Sequence, residues 1–190
     1  MKFKLQLILS ISVWLIFLTF IGIMIHHTNQ LKTLEERINQ AETRMETVEE
    51  VFGQAQTIKQ RINRVNPKAN ASNIAYMILH LSSKHKVDYR QITAQAEVES
   101  TYKVNAVGRR GERGLLQVRP ATFSEHGSGD INDWRDSLEA GVKYMAWLNK
   151  HYGESILSYN AGPNHPRKHI VSRGYSARVK QRIARLVMIE

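Results

Sequence analysis

The sequence predicts a mainly α-helical protein made of a membrane-spanning helix, a coiled-coil stalk and a helical domain. Residues 5–25 form an uncharged apolar run, and residues 31–65 hold apolar side chains at heptad spacing. Several segments between residues 72 and 190 show the periodicity of amphipathic helices, and no alternating stretch of any length indicates a β-strand. We therefore expect the parts to cover residues 1–28, 29–66 and 67–190.

The first part has the length and flanks of a membrane anchor. As a helix, its 21 uncharged residues would extend about 31 Å, which matches the hydrocarbon core of a bilayer. Lys2 and Lys4 precede the run, so the positive-inside rule predicts a single-pass protein of the cytoplasmic membrane, with its N-terminus inside and its domain on the periplasmic side. The alternative is a cleaved signal peptide, which usually has a shorter apolar region and a small-x-small cleavage site.

The second part has the pattern of a parallel coiled coil. Apolar residues occupy the a and d positions of four heptads and continue after a shift: Leu31, Leu34, Ile38, Ala41, Met45, Val48, Phe52, Ala55, then Ile58, Ile62 and Val65. Arginines at g would face glutamates at e of a parallel partner, namely Arg37 and Arg44 against Glu42 and Glu49. We expect a homo-oligomer through residues 31–65, with a rod of about 57 Å over residues 29–66 if fully helical. The alternative is a single amphipathic helix, because alanine at d and the shift weaken the interface.

The charge balance is basic, and most of the excess follows the stalk. The chain of 190 residues has 27 basic and 17 acidic side chains, of which 19 and 11 follow residue 67. This excess fits nucleic acid, anionic lipid or an acidic polymer such as cell wall, and does not choose among them. With no cysteine, disulfides and cysteine-based metal or redox sites are excluded. The length excludes a large multidomain enzyme.

A carboxylate lies on the apolar face of a predicted helix, "YRQITAQAEVES". A capping-box pattern at Asp88 marks the start of this helix. At 100° per residue, Glu99 shares a stripe with Ile92 and Ala96, whereas Glu97 lies on another side. Such a carboxylate is either paired with a cation in a structural role or partly desolvated. Desolvation would raise its pKa and make it a proton donor near neutrality.

A glycine-rich turn follows this helix and brings a glutamine back towards it. Gly108, Gly111 and Gly114 allow tight folding, so that "GLLQ", ending at Gln117, returns alongside the end of the glutamate's helix. A later helical segment contains Trp134 and Trp147, which we expect in the core.

Taken together, the ordered segments resemble the soluble lytic transglycosylase family with its lysozyme-like α-helical domain. They are Glu99-Ser100, "GRRGERGLLQVRPAT", "GVKYMAWL", "YNAGP" and Tyr175 with Arg178-Val179. The resemblance covers about residues 72–185. Each spacing matches, so the ordered set is specific, whereas "ES" or "NAG" alone would be weak.

The resemblance implies an activity and a set of site residues. In that family one glutamate cleaves the β-1,4 bond between N-acetylmuramic acid and N-acetylglucosamine in peptidoglycan and forms 1,6-anhydromuramyl ends; the matching position is Glu99. By the same match, Gln117 would bind the acetamido group of the sugar. The remaining substrate contacts implied are Ser100, Tyr159, Asn160 and Tyr175.

Two positions depart from the family's pattern. Gly108 stands where the family usually has serine, a hydroxyl associated with the reacting sugar, and Glu112 stands where it has alanine. The first change could lower the rate. The second could supply another carboxylate near the cleft and let water compete; alternatively, Glu112 is a solvated turn residue.

We therefore expect a membrane-anchored lytic transglycosylase whose partners are peptidoglycan glycan strands and, through residues 5–25, the membrane. Two other functions stay open: a lysozyme-type hydrolase, and a non-catalytic wall-binding component of an envelope-crossing assembly for secretion, conjugation or phage entry. A phage-encoded or virion-associated origin is equally compatible. We expect no nucleic-acid partner, because the basic C-terminal segment has no recognition-helix arrangement. Neither the residues nor the resemblance implies a cofactor, and the histidines show no metal-site spacing.

Overall fold

The computed structural model describes residues 2–153 and 155–188, with side chains from residue 12 onward except at 154 and 168. The side chains of residues 5–11, in the predicted membrane segment, lie outside that description. The helices are α1 (Lys2–Val65), α2 (Ala71–His85), α3 (Tyr89–Ser100), α4 (Pro120–His126), α5 (Trp134–Tyr152), α6 (Ser155–Ala161), α7 (Lys168–Val171) and α8 (Arg173–Val187). Two isolated antiparallel bridges, and no strand, occur in these residues. The predicted mainly α-helical fold is confirmed.

The chain divides into two compact units, Met1–Glu50 and Val51–Glu190. In the first unit, α1 contains the one described stretch that is long and apolar enough to cross a membrane, with a mean hydropathy of 1.3 over 18 residues. Its apolar side chains are exposed, including Trp14 and Phe17. The heptad positions are exposed too, Leu31 at 61% and Met45 at 64%, so the coiled coil remains a prediction about a second chain.

The last turns of α1 belong to the core of the second unit. Ile58 and Ile62 are fully buried in its hydrophobic cluster, and Thr57 and Arg61 are buried with them. The compact unit thus begins at Val51, inside the segment predicted as stalk, whereas the sequence predicts a domain start at residue 67. The reason is physical: apolar residues at helical spacing can face a partner helix or a domain core equally well.

The core of the second unit packs α2, α3 and α5 against the apolar part of the glycine-rich turn. Leu115 and Leu116 are fully buried, together with Ile78 from α2, Ile92 from α3 and Met145 from α5. Both tryptophans that the sequence predicts in the core are half-buried. Trp134 packs against this core, whereas Trp147 is not among the residues packed against it.

Helix α8 packs against α3 and forms a second, smaller cluster that includes Tyr175, a residue of the candidate site. Tyr175 and Val179 of α8 bury themselves against Ala94 of α3. Asp88 caps α3 as predicted, its carboxylate accepting a hydrogen bond of 2.8 Å from the Arg90 backbone N–H. The helix ends where Thr101 adopts a left-handed conformation, with φ at 51°, so the chain turns immediately after Glu99 and Ser100.

Candidate active site

Glu99 lies in the last turn of α3, half-buried, and its environment favours the protonated acid. Desolvation is the main cause that raises its pKa above the ordinary value, and the negative charge of Glu112 adds to it. A hydrogen bond from Tyr175 and the positive charges of Arg178 and Arg119 oppose this rise without cancelling it. The pKa of Glu99 is therefore shifted in the direction that general acid catalysis near neutral pH requires.

Glu97, two residues earlier, is a buried carboxylate that is paired with cations, which is the structural role. It is 6% exposed and accepts hydrogen bonds from Arg61 Nε at 2.6 Å and from Arg182 Nε at 2.8 Å. The Tyr102 hydroxyl adds a longer bond of 3.4 Å. This ion group joins α1, α3 and α8 beside the site. Because Glu97 is paired with two arginines, Glu99 is the carboxyl available for proton transfer.

Tyr175 and a row of glutamines hold Glu99 in place. The Tyr175 hydroxyl is hydrogen-bonded to Glu99 and accepts a bond of 3.0 Å from Gln95 Nε2, so its proton is directed at the carboxylate. Gln95 Oε1 accepts a bond of 2.8 Å from Gln91, which also donates to Ser155 Oγ at 2.7 Å. Tyr175 is among the site residues that the resemblance implies, whereas the two glutamines are not. Their spacing could have revealed them, because Gln91, Gln95 and Glu99 are successive i, i+4 positions.

Helix α6 brings Tyr159 to the same place. The Tyr159 hydroxyl donates to the Leu116 carbonyl at 3.0 Å, and desolvation, followed by the negative charge of Glu99, raises the pKa of this phenol. Gly141 of α5 makes this approach possible, because a Cβ there would lie 3.1 Å from the Tyr159 hydroxyl and 2.7 Å from Leu116 Cδ1.

Asn160 and Ser100 form hydrogen bonds with residues outside this group. The Asn160 amide donates to the hydroxyl of Ser172, a buried residue at the start of α8, at 3.0 Å. The Ser100 hydroxyl donates back to the Ala96 carbonyl of its own helix at 3.0 Å and is 7% exposed. Asn160 thus links α6 to α8, and Ser100 satisfies its hydroxyl locally.

Gln117 closes the glycine-rich turn in a left-handed conformation, with φ at 48°. Its Nε2 donates to the carbonyls of Gly114 at 3.0 Å and Ala106 at 3.3 Å. Both donor bonds lie within the turn and orient the side chain, whose oxygen points towards Gly108. A small cavity of about 60 Å³ is lined by Gln117 and Tyr159, so the turn and α6 meet there.

The two departures from the family pattern are physically coupled. A Cβ added at Gly108 would overlap the Glu112 carboxylate and lie 2.8 Å from Gln117 Oε1. Glu112 is half-buried, accepts a bond of 2.9 Å from the Arg110 backbone N–H and lies 3.8 Å from Arg119 Nε. Desolvation acts to raise the pKa of Glu112, but these hydrogen bonds and the positive charge of Arg119 hold it below its ordinary value. Glu112 is therefore an ionised group held against Gly108, and not a freely solvated turn residue.

Two cations near Glu99 are not among the predicted site residues, although both lie in segments that carry the family resemblance. Arg178 and Arg119 come from α8 and from the residue before α4, and both act on the Glu99 carboxylate. Within the described residues, no group of His, Asp and Glu side chains could hold a metal ion. Glu99, set among hydrogen-bonding and charged groups, can transfer a proton at this place.

Comparison with known proteins agrees with this geometry. Residues 76–181, more than half of the chain, match the family described as the transglycosylase SLT domain. Relatives include the membrane-bound lytic murein transglycosylase F of Pseudomonas syringae pv. syringae, 29% identical over 94 residues, which are 44% of this chain and 19% of that protein. Proteins of the same name from Desulfosudis oleivorans and Mannheimia succiniciproducens are each 29% identical, over 48% and 56% of this chain and 22% of their own lengths.

The chain spans about a fifth of the length of these relatives. The region that matches the family, residues 76–181, is the part that holds the site. Glu99, Gln117 and Tyr159 all lie inside it. The chain belongs to the transglycosylase SLT family.

Proposed function

We propose that this protein is a membrane-anchored peptidoglycan lytic transglycosylase. The observation that carries the proposal is the state of Glu99, a half-buried carboxyl with a raised pKa, hydrogen-bonded by Tyr175 at the position that matches the family's acid. The substrate bond is the β-1,4 link between N-acetylmuramic acid and N-acetylglucosamine. The products carry 1,6-anhydromuramyl ends.

In the first step, protonated Glu99 donates its proton to the glycosidic oxygen. The bond from that oxygen to C1 of the muramyl sugar breaks, and N-acetylglucosamine leaves with the bonding electrons. Desolvation supports this step, because it keeps a carboxyl protonated at a pH where an ordinary glutamate would be ionised. Arg178 and Arg119 then stabilise the carboxylate that forms.

In the second step, the Glu99 carboxylate takes the proton of the C6 hydroxyl while O6 of the same sugar attacks C1. This closes the 1,6-anhydro ring and restores protonated Glu99, so no water is consumed. Most glycosidases need two carboxylates, because one must activate water or attack the sugar. Here the nucleophile is part of the substrate and already lies near the reacting carbon.

The neighbouring residues have binding and positioning roles in this proposal. Gln117 binds the acetamido group of the sugar, and Tyr159 lines the cleft. Tyr175 orients the Glu99 carboxyl, and the Gln91–Gln95 row orients Tyr175. Asn160 contributes by holding α6 against α8. Ser100 stays part of the proposed substrate contacts, although its own hydrogen bond points into α3.

The N-terminal part supports a location at the cytoplasmic membrane. We propose a single-pass anchor with the N-terminus inside and the SLT domain on the periplasmic side, because the two lysines that precede the apolar run favour this orientation. The exposed heptad positions of α1, for example Ile38 at 56% and Val48 at 67%, support a parallel homo-oligomer.

One observation favours a second function, peptidoglycan hydrolysis. Glu112 is ionised and close enough to Glu99 to affect its pKa, so it could act as a base on water. In that case the products would carry ordinary reducing ends. The contacts of Glu112 with Arg110 and Arg119 disfavour this function, because they lower its basicity.

The test is digestion of purified peptidoglycan with the full chain in detergent, followed by mass spectrometry. We expect products lighter by one water than hydrolytic products, and their loss in Glu99→Gln by at least about 100-fold, the usual contribution of a general acid. Glu125→Gln is the matched control, because its side chain is 75% exposed. Reducing-end products would replace this proposal with hydrolysis. Wall binding without any cleavage would replace it with an anchoring role in an envelope-crossing assembly.

A further inference from the structure

A strip of five aromatic rings runs along α5, outside the group of residues assigned above. We call His126, Tyr144, Trp147, His151 and Tyr152 the aromatic strip. The central ring is Trp147, whose centroid lies 6.0 Å from Tyr144, 5.6 Å from His126, 4.9 Å from His151 and 5.5 Å from Tyr152. Tyr144, Trp147 and His151 share one face of α5 at i, i+3 and i+7.

The aromatic strip begins at the candidate active site. The Tyr144 ring lies 5.4 Å from that of Tyr159. Both rings line the small cavity that also contains Gln117, Arg119 and Gly162. From this cavity the strip leads outward along α5, between the end of α4 and the turn after α6, where the Tyr152 hydroxyl donates to Asn164 at 3.4 Å. The strip is therefore continuous with the cleft.

The rings of the strip keep accessible surface. Four are half-buried and His151 is exposed, and Tyr144 and Trp147 lie nearly parallel, at 17°. Half-buried aromatic rings in a row, each with a polar atom at its rim, suit a ligand that is apolar on its faces and polar at its edges. A β-linked hexosamine chain has this character, because C–H bonds cover the faces of each pyranose ring and hydroxyl and acetamido groups project from its edge.

We propose that the aromatic strip binds the glycan strand beyond the cleaved bond, with Trp147 as the ring on which a distal sugar stacks. This inference rests on the proposed function, since it assumes that the cleft receives a glycan. It assigns a binding role to a tryptophan that lies outside the hydrophobic core, and it predicts a preference for long strands over short ones.

The first experiment measures binding without cleavage. Chitohexaose and chitobiose are titrated into the full chain in detergent, and both affinities are measured by isothermal titration calorimetry, which does not depend on tryptophan fluorescence. We expect chitohexaose to bind about tenfold more tightly than chitobiose, and Trp147→Ala to remove this difference, since one stacked aromatic contributes about a factor of ten. Trp147→Phe should keep most of it. Tyr76→Ala is the matched control, because Tyr76 is 68% exposed and stacks on His80 away from the strip.

The second experiment compares kcat/KM on long and short glycan strands. We expect Trp147→Ala to lower the ratio of the two values about tenfold, chiefly through KM on long strands. Equal losses on both substrates, or no change in chitohexaose affinity, would overturn the role of the strip while leaving the transglycosylase intact. If the wild-type chain cleaves no glycan, the proposed function fails, but the chitohexaose titration still tests the strip as a sugar-binding surface.

Discussion

Glu97 and Glu99 lie two residues apart on α3, and their surroundings give them different tasks. Two guanidinium groups hold Glu97 in direct contact, whereas the bonded neighbour of Glu99 is the hydroxyl of Tyr175. A hydroxyl supports a carboxylate less strongly than a contacting cation, so desolvation prevails at Glu99 and raises its pKa. The separation follows from helix geometry, which points successive odd-numbered side chains about 200° apart.

The charge of Glu112 should tune the pH range of the reaction. Glu99 must be protonated to act as the acid, so the rate falls as pH rises through its pKa. The negative charge of Glu112 raises that pKa, so Glu112→Gln should lower it and move the alkaline limb of the kcat/KM profile to lower pH. The variant keeps the positive charges of Arg178 and Arg119 and the hydrogen bond from Tyr175, which all lower the pKa of Glu99.

The readout is the pH dependence of soluble product release, with Glu125→Gln as the control. A purely structural role for Glu112 would lower the rate at every pH and leave the limb in place. A limb displaced to higher pH would contradict the electrostatic role.

Gly108 and Glu112 should behave as one unit in a double-mutant cycle. Gly108→Ser restores the residue that the resemblance leads one to expect, but its Cβ would overlap the Glu112 carboxylate. We expect it to destabilise the protein by about 1–3 kcal/mol, the usual cost of overpacking. Glu112→Ala in the same chain removes the overlapping carboxylate, although the Cβ of residue 112 stays 2.9 Å and Gln117 Oε1 stays 2.8 Å from the added Cβ. The cost should therefore fall without disappearing, which thermal unfolding can measure. Additive effects of the two substitutions would show that the residues do not compete for space.

At the scale of elements, α3 shows how much of the site the sequence could predict. Its period places Glu99 on a defined face, and the resemblance selects Glu99, Gln117 and Tyr159, which the fold brings to one region. Arg119 and Arg178 could not be predicted, because their nearness to Glu99 depends on how separate segments pack. The hydrogen bonds of Ser100 and Asn160 were unpredictable for a similar reason, since a side-chain amide or hydroxyl takes whichever partner the fold offers.

The ion group around Glu97 should be a major source of stability because it joins three elements. Glu97→Gln leaves Arg61, which is 5% exposed, and Arg182 without their anionic partner. We expect a loss of about 3–5 kcal/mol in the free energy of unfolding, the cost of breaking a buried ion pair from one side. Circular dichroism during thermal unfolding measures it.

A paired variant tests the cause of that loss. Replacing both Arg61 and Glu97 by methionine removes the buried ion pair and leaves only Arg182, whose side chain is 24% exposed, without its anionic partner, so much of the stability should return. If the double variant is as unstable as Glu97→Gln, the loss comes from packing and not from an unpaired charge.

For the whole molecule, the sequence predicts the kinds of elements well and the extent of the domain less well. The apolar run and the helical periodicity of the sequence predict helices where the structure has α1, α2, α3, α5, α6 and α8. The stripe that continues through Ile58 and Ile62 suggests more stalk, yet both side chains are fully buried in the second unit. Nothing in the pattern itself distinguishes the two outcomes, because a stripe shows which face is apolar and not what covers it.

The extent of the domain makes a direct prediction about fragments. A fragment that begins at Val51 should unfold cooperatively, whereas one that begins at Pro67 should not. The shorter fragment loses Ile58 and Ile62, each worth about 1.5–3 kcal/mol when fully buried, and it leaves Glu97 without Arg61. These losses together approach the whole stability of a typical domain, about 5–15 kcal/mol.

Thermal unfolding of the two fragments separates the possibilities. A sharp transition at the same temperature in both would mean that the last turns of α1 contribute little, and that residue 67 is the true start of the domain. A transition in the longer fragment alone would mean that the final turns of α1 are part of the transglycosylase domain, so that any movement of α1 there would act directly on Glu97 and, through α3, on the helix that carries Glu99.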